Sequence, residues 1–239
     1  MFQPAKQNKI FQDVVAQIQE VILSGRLRPG DSLPPERELK EMLKVSRGTL
    51  REALRVLEQK GLVEIKLGTG GGPVVKDLSD DQMRETLALL IRHQKVSLEH
   101  LAEFRIGVEG EVAALAADRA GPADIQELEA LLEQAVAYAD QGVQATESFL
   151  AVDKQIHLRL AKISGNPIYL LVHTSIHDNI DRYYDRFLDM HQTALTTNAQ
   201  DLERLVAAVA AGDRDQARHV ATEHVRTFSA RMRKAVRIE

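Results

Sequence analysis

The segment of residues 33–76 constrains the fold of this chain more than any other, because it predicts two short helices followed by a β-hairpin. Ser46 is suited to cap the second helix. One buried face of that helix is predicted by the i, i+3, i+4, i+7 spacing of Leu50, Ala53, Leu54 and Leu57. After Gly61 the pattern changes to the two-residue alternation of strands, and the glycine-rich turn at 68–72 reverses the chain. This order predicts a winged helix-turn-helix that binds DNA.

A basic stripe lies beside the apolar face of the second helix. Arg47, Arg51 and Arg55 follow one another at intervals of one turn, and Gly48 and Thr49 lie near the start of the helix. Such a stripe suits the phosphate backbone and the edges of guanine bases. Taken alone, three arginines on a helix are also typical of a face that merely meets solvent.

The motifs PPERELKE, SRGTLREALRVLEQKGLV and GTGGG, in this order, make the first third of the chain resemble the GntR family of bacterial transcription regulators. The resemblance implies that Arg37, Arg47, Thr49 and Arg51 contact DNA, that Gly48 approaches the bases and that Gly68 belongs to the wing. Arg55 and Lys66 are added from geometry. The predicted DNA-binding set is therefore Arg37, Ser46, Arg47, Gly48, Thr49, Arg51, Arg55, Lys66 and Gly68.

Charge divides the chain into two parts. Residues 1–76 hold 13 basic and 9 acidic side chains, whereas the rest holds 18 basic and 26 acidic ones, a net charge of −8. The basic end is expected to meet nucleic acid, and the acidic end is not. We predict a DNA-binding domain at 1–76, a linker at 77–80 and an effector-binding and dimerisation domain at 81–234.

Composition excludes several classes of site. The chain has no cysteine, so it offers neither a disulfide nor a thiolate nucleophile, and any metal must be held by histidine and carboxylate side chains. No signal-peptide pattern and no apolar run of about 20 residues is present. We therefore expect a cytoplasmic protein without membrane contact.

Helical periodicity continues through almost all of the second part, and no convincing strand is found. The fold class predicted is mainly α: a winged helix-turn-helix domain with a small β-hairpin, followed by an all-α antiparallel bundle of six or seven helices. The helices of the bundle are expected at about 80–92, 97–119, 122–140, 146–163, 167–190, 199–211 and 213–234.

Arg105 falls within an apolar stripe of the second bundle helix. That stripe is formed by Leu101, Phe104, Val108, Val112 and Leu115. A buried guanidinium is costly unless an anion meets it. The spacing allows two interpretations: an internal ion pair with Glu109, Glu103 or Glu111, or a site that holds the carboxylate of a ligand.

Histidine and aspartate residues also fall on inward faces of the bundle. Asp153 and His157 lie four residues apart and can share one metal ion or one hydrogen bond. His224 is predicted to point toward the same interior. A further pair, His173 and His177, is interpreted mainly as a polar edge, although it could also line a ligand site.

The second domain resembles the FCD-type effector domain of the FadR subfamily, through RIGVE at 105–109, DKQIHLRLAKISGNP at 153–167 and the segment that ends at His224. This resemblance implies a divalent metal held by one aspartate and three histidines beside a pocket for a small organic acid. Asp153, His157 and His224 match three of these positions, and Leu202 occupies the fourth. Three protein ligands can still hold Zn²⁺, Ni²⁺ or Mn²⁺. The predicted effector-binding set is Arg105, Asp153, His157 and His224.

These observations favour a transcription regulator over an enzyme. We expect a repressor, because repression is the usual mode in the family that the chain resembles. We expect a homodimer on a palindromic operator in double-stranded DNA, because one small winged helix reads few base pairs. Two alternatives stay open. One is a metal-dependent enzyme built on Asp153, His157 and His224, and the other is a constitutive DNA-binding protein with a purely structural bundle.

Overall fold

The computed structural model describes residues 9–68, 71–77, 81–93, 96–187 and 190–236. The chain forms two compact units, Met1–Gln82 and Met83–Glu239. The predicted linker at 77–80 falls near this division, and its residues 78–80 lie outside the described residues.

The first unit is a three-helix domain with a β-hairpin. Its elements are α1 (Lys9–Leu23), α2 (Glu36–Leu43), α3 (Arg47–Gln59), β1 (Val63–Lys66) and β2 (Gly72–Val75). The two strands pair antiparallel, with Val63 opposite Val75 and Lys66 opposite Gly72. This arrangement confirms the predicted winged helix-turn-helix.

The core of the first unit forms between α1, α3 and the hairpin. The predicted face of α3 is fully buried, as shown by Leu50, Ala53, Leu54 and Leu57. Opposite it, α1 contributes Val14, Val15, Ile18 and Ile22. Burial of this face fixes the rotation of α3, so its basic stripe is left at the surface.

The second unit is all-helical in its described part. Its helices are α4 (Asp81–His93), α5 (Leu98–Arg119), α6 (Pro122–Gln141), α7 (Thr146–Ile163), α8 (Pro167–Phe187), α9 (Gln192–Ala210) and α10 (Arg214–Val236), with a 3₁₀ turn at Val143–Ala145. Helix α5 packs along α10, α6 lies against α7 and α9, and α7 contacts α8. Among the described residues, no helix is long and apolar enough to cross a membrane.

Two details of the helix predictions were wrong. Helix α9 begins at Gln192 and not near residue 199, because the His191 side chain caps its start by accepting a hydrogen bond from the Ala194 amide at 3.0 Å. On α5, Phe104 is 41% exposed although its spacing placed it in the buried stripe. The buried face of that helix includes Leu101, Arg105 and Glu109 instead.

Candidate functional site

The start of α3 is held in place by its cap. Ser46 has an extended backbone, and its hydroxyl oxygen accepts a hydrogen bond from the Thr49 amide at 3.1 Å. The two hydroxyl oxygens of Ser46 and Thr49 lie 2.8 Å apart. Gly48, between them, is exposed. This geometry satisfies an amide of the first turn and fixes the direction in which Arg47 leaves the helix.

The arginines of the predicted DNA-binding set all lie at the surface. Arg37 is exposed on α2, and Arg47, Arg51 and Arg55 are exposed on α3. Glu36 lies beside them, with its Oε2 atom 3.0 Å from Nε of Arg51 and 3.6 Å from Nε of Arg47.

The hairpin carries the two remaining members of the DNA-binding set. Lys66 is exposed at the end of β1, and its Nζ atom lies 3.2 Å from Oε1 of Glu64. Gly68 is exposed and has a φ of 103°, a backbone conformation that residues other than glycine rarely adopt. Its carbonyl accepts a hydrogen bond from the Gly71 amide at 2.9 Å, which closes the turn. Residues 69 and 70 of the wing lie outside the described residues.

A second group of functional residues lies inside the helical unit, and we call it the buried polar cluster. Helices α5, α7, α8, α9 and α10 all contribute to it. Every member is buried, and the cluster consists of Arg105, Glu109, Asp153, His157, His173, His177, Asp201 and His224. The structure thus brings all four predicted effector-binding residues into one buried region.

Three side chains of this cluster could hold a metal ion. Oδ1 of Asp153 lies 3.4 Å from Nε2 of His224 and 3.8 Å from Nε2 of His157. Metal bonds of about 2.0–2.2 Å at tetrahedral angles separate neighbouring ligand atoms by about 3.3–3.5 Å. Oδ1 of Asp153 and Nε2 of His157 are buried without a hydrogen-bond partner. The 3.4 Å separation matches the range expected for metal ligands and the 3.8 Å separation slightly exceeds it, so the residues present fit a divalent cation in chemistry and closely in spacing.

The outer nitrogen of each histidine faces a carboxylate. Nδ1 of His157 lies 2.6 Å from Oε2 of Glu109, and Nδ1 of His224 lies 3.6 Å from Oδ2 of Asp201. Neither contact has the geometry of a hydrogen bond, since Oε2 of Glu109 and Nδ1 of His224 are both buried without a hydrogen-bond partner. A carboxylate beside the outer nitrogen is nevertheless common for metal-binding histidines, whose other nitrogen then faces the metal. Neither Glu109 nor Asp201 was assigned this role from the sequence. Glu109 lies one turn after Arg105, and this spacing was the only feature of the sequence that indicated a buried position for Glu109.

The charges of the cluster shift its pKa values strongly. Burial raises the pKa of Asp153, but His157 and His224 outweigh that effect and bring it to about 2. Burial lowers the pKa of His224, but Asp153 and Asp201 outweigh it and raise the value to about 9. Without a metal ion, His224 is therefore protonated at neutral pH and pairs with these two carboxylates.

Arg105 forms the internal ion pair that the sequence left as one of two possibilities. Its guanidinium bonds to the Glu109 carboxylate one turn further along α5. Burial raises the pKa of Glu109, but Arg105 and His157 lower it to well below its usual range. Glu109 is therefore ionised, and it neutralises the charge of Arg105.

His173 and His177 are buried, so their interpretation as a polar edge was wrong. Nε2 of His177 lies 3.5 Å from Oε1 of Glu109, and the rings of the two histidines are stacked with centroids 5.7 Å apart. Burial lowers the pKa of His173 to about 4 and that of His177 below its usual value. Both rings are therefore neutral. The contact between α8 and Glu109 joins residues distant in sequence, which spacing along one helix does not reveal.

Glu109, His157 and His177 form a second group whose ligand atoms lie within 4.8 Å of one another. A cation there would lie beside the guanidinium of Arg105, which repels it. Arg105 bonds directly to Glu109, whereas at Asp153 its charge is the smallest of the causes that lower the pKa of that carboxyl. The group of Asp153, His157 and His224 is therefore the better candidate for a metal site. Leu202 is fully buried in the apolar core and adds no ligand.

Comparison with known proteins identifies both units. The model for the gntR family of bacterial regulatory proteins matches residues 11–71, and the model for the FCD domain matches residues 100–227. The transcriptional regulator LutR of Bacillus subtilis is 30% identical over 209 residues, which cover 86% of this chain and 93% of LutR. The chain belongs to the GntR family.

One further relative is similar over most of its length, and one solved structure shows the same fold. The transcriptional repressor NanR of Edwardsiella tarda is 28% identical, with 95% of this chain and 86% of NanR covered. The solved structure of Streptococcus agalactiae GntR has a TM-score of 0.65 at 23% identity and covers 92% of this chain and 99% of that chain. This GntR-family protein is thus a DNA-binding transcription regulator with a C-terminal effector-binding domain, and it is not an enzyme.

Proposed function

We propose that this regulator is a cytoplasmic repressor that binds a palindromic operator as a homodimer and responds to a small organic acid coordinated to a divalent metal ion. The DNA-binding surface consists of the nine residues predicted from the sequence on α2, α3 and the hairpin. The metal ligands are Asp153, His157 and His224. Two-fold pairing supports the proposal on general grounds, because a single winged helix reads few base pairs.

The observation that carries the proposal is the convergence of Asp153, His157 and His224, each histidine backed by a carboxylate. Buried polar atoms without hydrogen bonds are costly. A cation would replace the proton of His224 as the partner of Asp153 Oδ1, and it would also give Nε2 of His157 a partner. When bound, a divalent ion supplies positive charge and open coordination positions for ligand oxygen atoms.

Charge balance favours the metal as the anchor of an acidic effector. Arg105 is already neutralised by Glu109, so it offers no excess positive charge. Asp201 is paired with Arg204 as well as with His224, so it stays neutralised when His224 loses its proton. A divalent ion facing the single negative charge of Asp153 therefore leaves one positive charge in excess. An effector carboxylate would neutralise that charge, with Arg105 as a further hydrogen-bond donor at the same site.

Elemental analysis of the purified, untagged protein tests the metal site. Wild type is expected to hold about one Zn²⁺, Ni²⁺ or Mn²⁺ per chain. His157→Ala and His224→Ala should lose it. His219→Ala is the matched control, because His219 lies on α10 but is exposed.

A folded wild type that takes up no metal during dialysis against Zn²⁺ would contradict the proposed site. The same result would leave two possibilities, an effector held by Arg105 or a purely structural bundle. Titration of operator binding with a panel of small acids would separate them, since only the first allows an acid to shift affinity.

A further inference from the structure

A single carboxylate lies between two arginines of the DNA-binding surface. Oε2 of Glu36 accepts a hydrogen bond from Nε of Arg51 at 3.0 Å, and Nε of Arg47 lies 3.6 Å from the same oxygen atom. The side chain of Glu36 is 30% exposed, whereas those of Arg47 and Arg51 are 71% and 55% exposed. The acid thus lies deeper than the two cations that it holds.

The position of Glu36 is fixed by the start of α2. Two prolines precede it, and Pro35 has a φ of −51° at the N-cap position. Leu39, one turn later, is buried in the core and sets the rotation of the helix. The positive end of the helix dipole also stabilises a carboxylate in the first turn. Glu36 is therefore held at the junction of α2 and α3.

A hydrogen bond at Nε orients the guanidinium of an arginine without occupying its terminal NH₂ groups. The guanidinium has five N–H donors in one plane, and Nε supplies only one of them. A partner at Nε fixes that plane and leaves the terminal NH₂ groups for other acceptors, such as guanine O6 and N7. Glu36 also offsets the repulsion between Arg47 and Arg51, which lie one helical turn apart.

We propose that Glu36 is a positioning residue that increases the preference of this regulator for its operator over other DNA. It orients Arg51 and Arg47 for base contacts, and its negative charge weakens their attraction to phosphates in general. Both effects raise the ratio of specific to non-specific affinity, at the expense of total affinity for DNA.

The substitution Glu36→Gln separates these effects from a structural role. Glutamine keeps an acceptor of similar size but removes the negative charge. Glu38→Gln is the matched control, because Glu38 belongs to the same turn of α2, is exposed and forms no ion pair with the described residues. Both variants change the net charge of the protein by the same amount.

Binding is measured by fluorescence anisotropy over a series of salt concentrations. One probe is a random-sequence duplex of about 30 base pairs, long enough for two half-sites at the usual spacing of about 10 base pairs. The second probe is the consensus duplex that wild type selects from a random pool. Thermal melting of each variant reports any change in folding.

We expect Glu36→Gln to bind the random duplex several-fold more tightly than wild type and Glu38→Gln do. The slope of log K against log salt should become steeper by up to about 0.9, which corresponds to one additional phosphate contact. The ratio of consensus to random affinity should fall, with an unchanged melting temperature.

Equal random-duplex affinity and equal salt slopes in Glu36→Gln and Glu38→Gln would overturn the proposal. A proportional loss of binding to both duplexes would also overturn it, because it would show that Glu36 only maintains the fold. If wild type selects no consensus, the random-duplex titration alone decides the outcome.

Discussion

Zinc binding to the buried polar cluster should release close to one proton per ion at neutral pH. Burial lowers the pKa of His224, but Asp153 and Asp201 raise it to about 9, so a metal ion must displace a proton from this ring. At pH 7, two units below that value, roughly one ring in 100 is deprotonated, which weakens zinc binding by about 2.7 kcal/mol. The apparent dissociation constant should therefore fall about tenfold for each unit of rising pH, until about pH 9.

Calorimetry in buffers of different ionisation enthalpy measures the number of protons released, and a competing chelator measures the affinity at each pH. Asp201→Asn keeps an acceptor for Nδ1 of His224 but removes one of the charges that raise its pKa. The pH dependence of this variant should move to lower pH. A zinc affinity that does not change with pH over the range of about two units below the pKa of His224, with no proton released, would refute this account of the cluster.

Two further predictions concern stability. The metal-free protein should lose stability as pH rises from 6.5 to about 9, because in this range the folded chain still holds the proton of His224 and the unfolded chain, whose pKa is near 6.5, does not. Urea midpoints should show this loss in wild type, and a similar loss in His224→Gln would contradict it. On α5, Gly110→Ala should destabilise the fold by about 1–3 kcal/mol, because its new Cβ would lie 2.5 Å from the Thr222 hydroxyl oxygen. A Cβ atom at Gly107 would meet no atom within 4 Å, so Gly107→Ala should instead stabilise the helix by about 0.5–1 kcal/mol. Equal urea midpoints for the two variants would disprove the close packing of α5 at Gly110.

The first unit could be predicted almost completely from the sequence, because its signals are local. Ser46 caps α3 through a contact three residues away, and the apolar face from Leu50 to Leu57 follows one period. The paired strands likewise follow the two-residue alternation on either side of a glycine-rich turn. Each of these features depends on neighbours within a few residues, which a single sequence displays directly.

The start of α9 could not be located in this way. Thr196 and Thr197 interrupt the apolar pattern there, and each hydroxyl donates a hydrogen bond to the carbonyl four residues earlier. The helix is nevertheless fixed, because Leu195 is fully buried and the His191 side chain caps the first turn. A polar stretch with a histidine cap gives a weaker signal than the serine cap of α3.

The buried polar cluster was only partly predictable for a different reason. Spacing placed Arg105, Asp153, His157 and His224 on inward faces, since each lies within or beside an apolar stripe of its own helix. It did not reveal that Glu109 joins α5 to both α7 and α8, because that contact depends on how three helices pack. Partners of a buried charge therefore remain undetermined until the fold brings them together.

The same packing explains how a small ligand at the buried polar cluster could change the interactions between several helices of the unit. Five helices contribute charged or imidazole side chains that share partners. His224 faces both Asp153 and Asp201, and Glu109 faces Arg105, His157 and His177. An ion that takes Nε2 of His224 must remove its proton, and this weakens the attraction of the ring to Asp201 on α9. Ligand binding therefore changes the forces between α7, α9 and α10 without needing contact with each of them. A coupling between effector and DNA then requires only that the two states of these helices differ in their affinity for the operator.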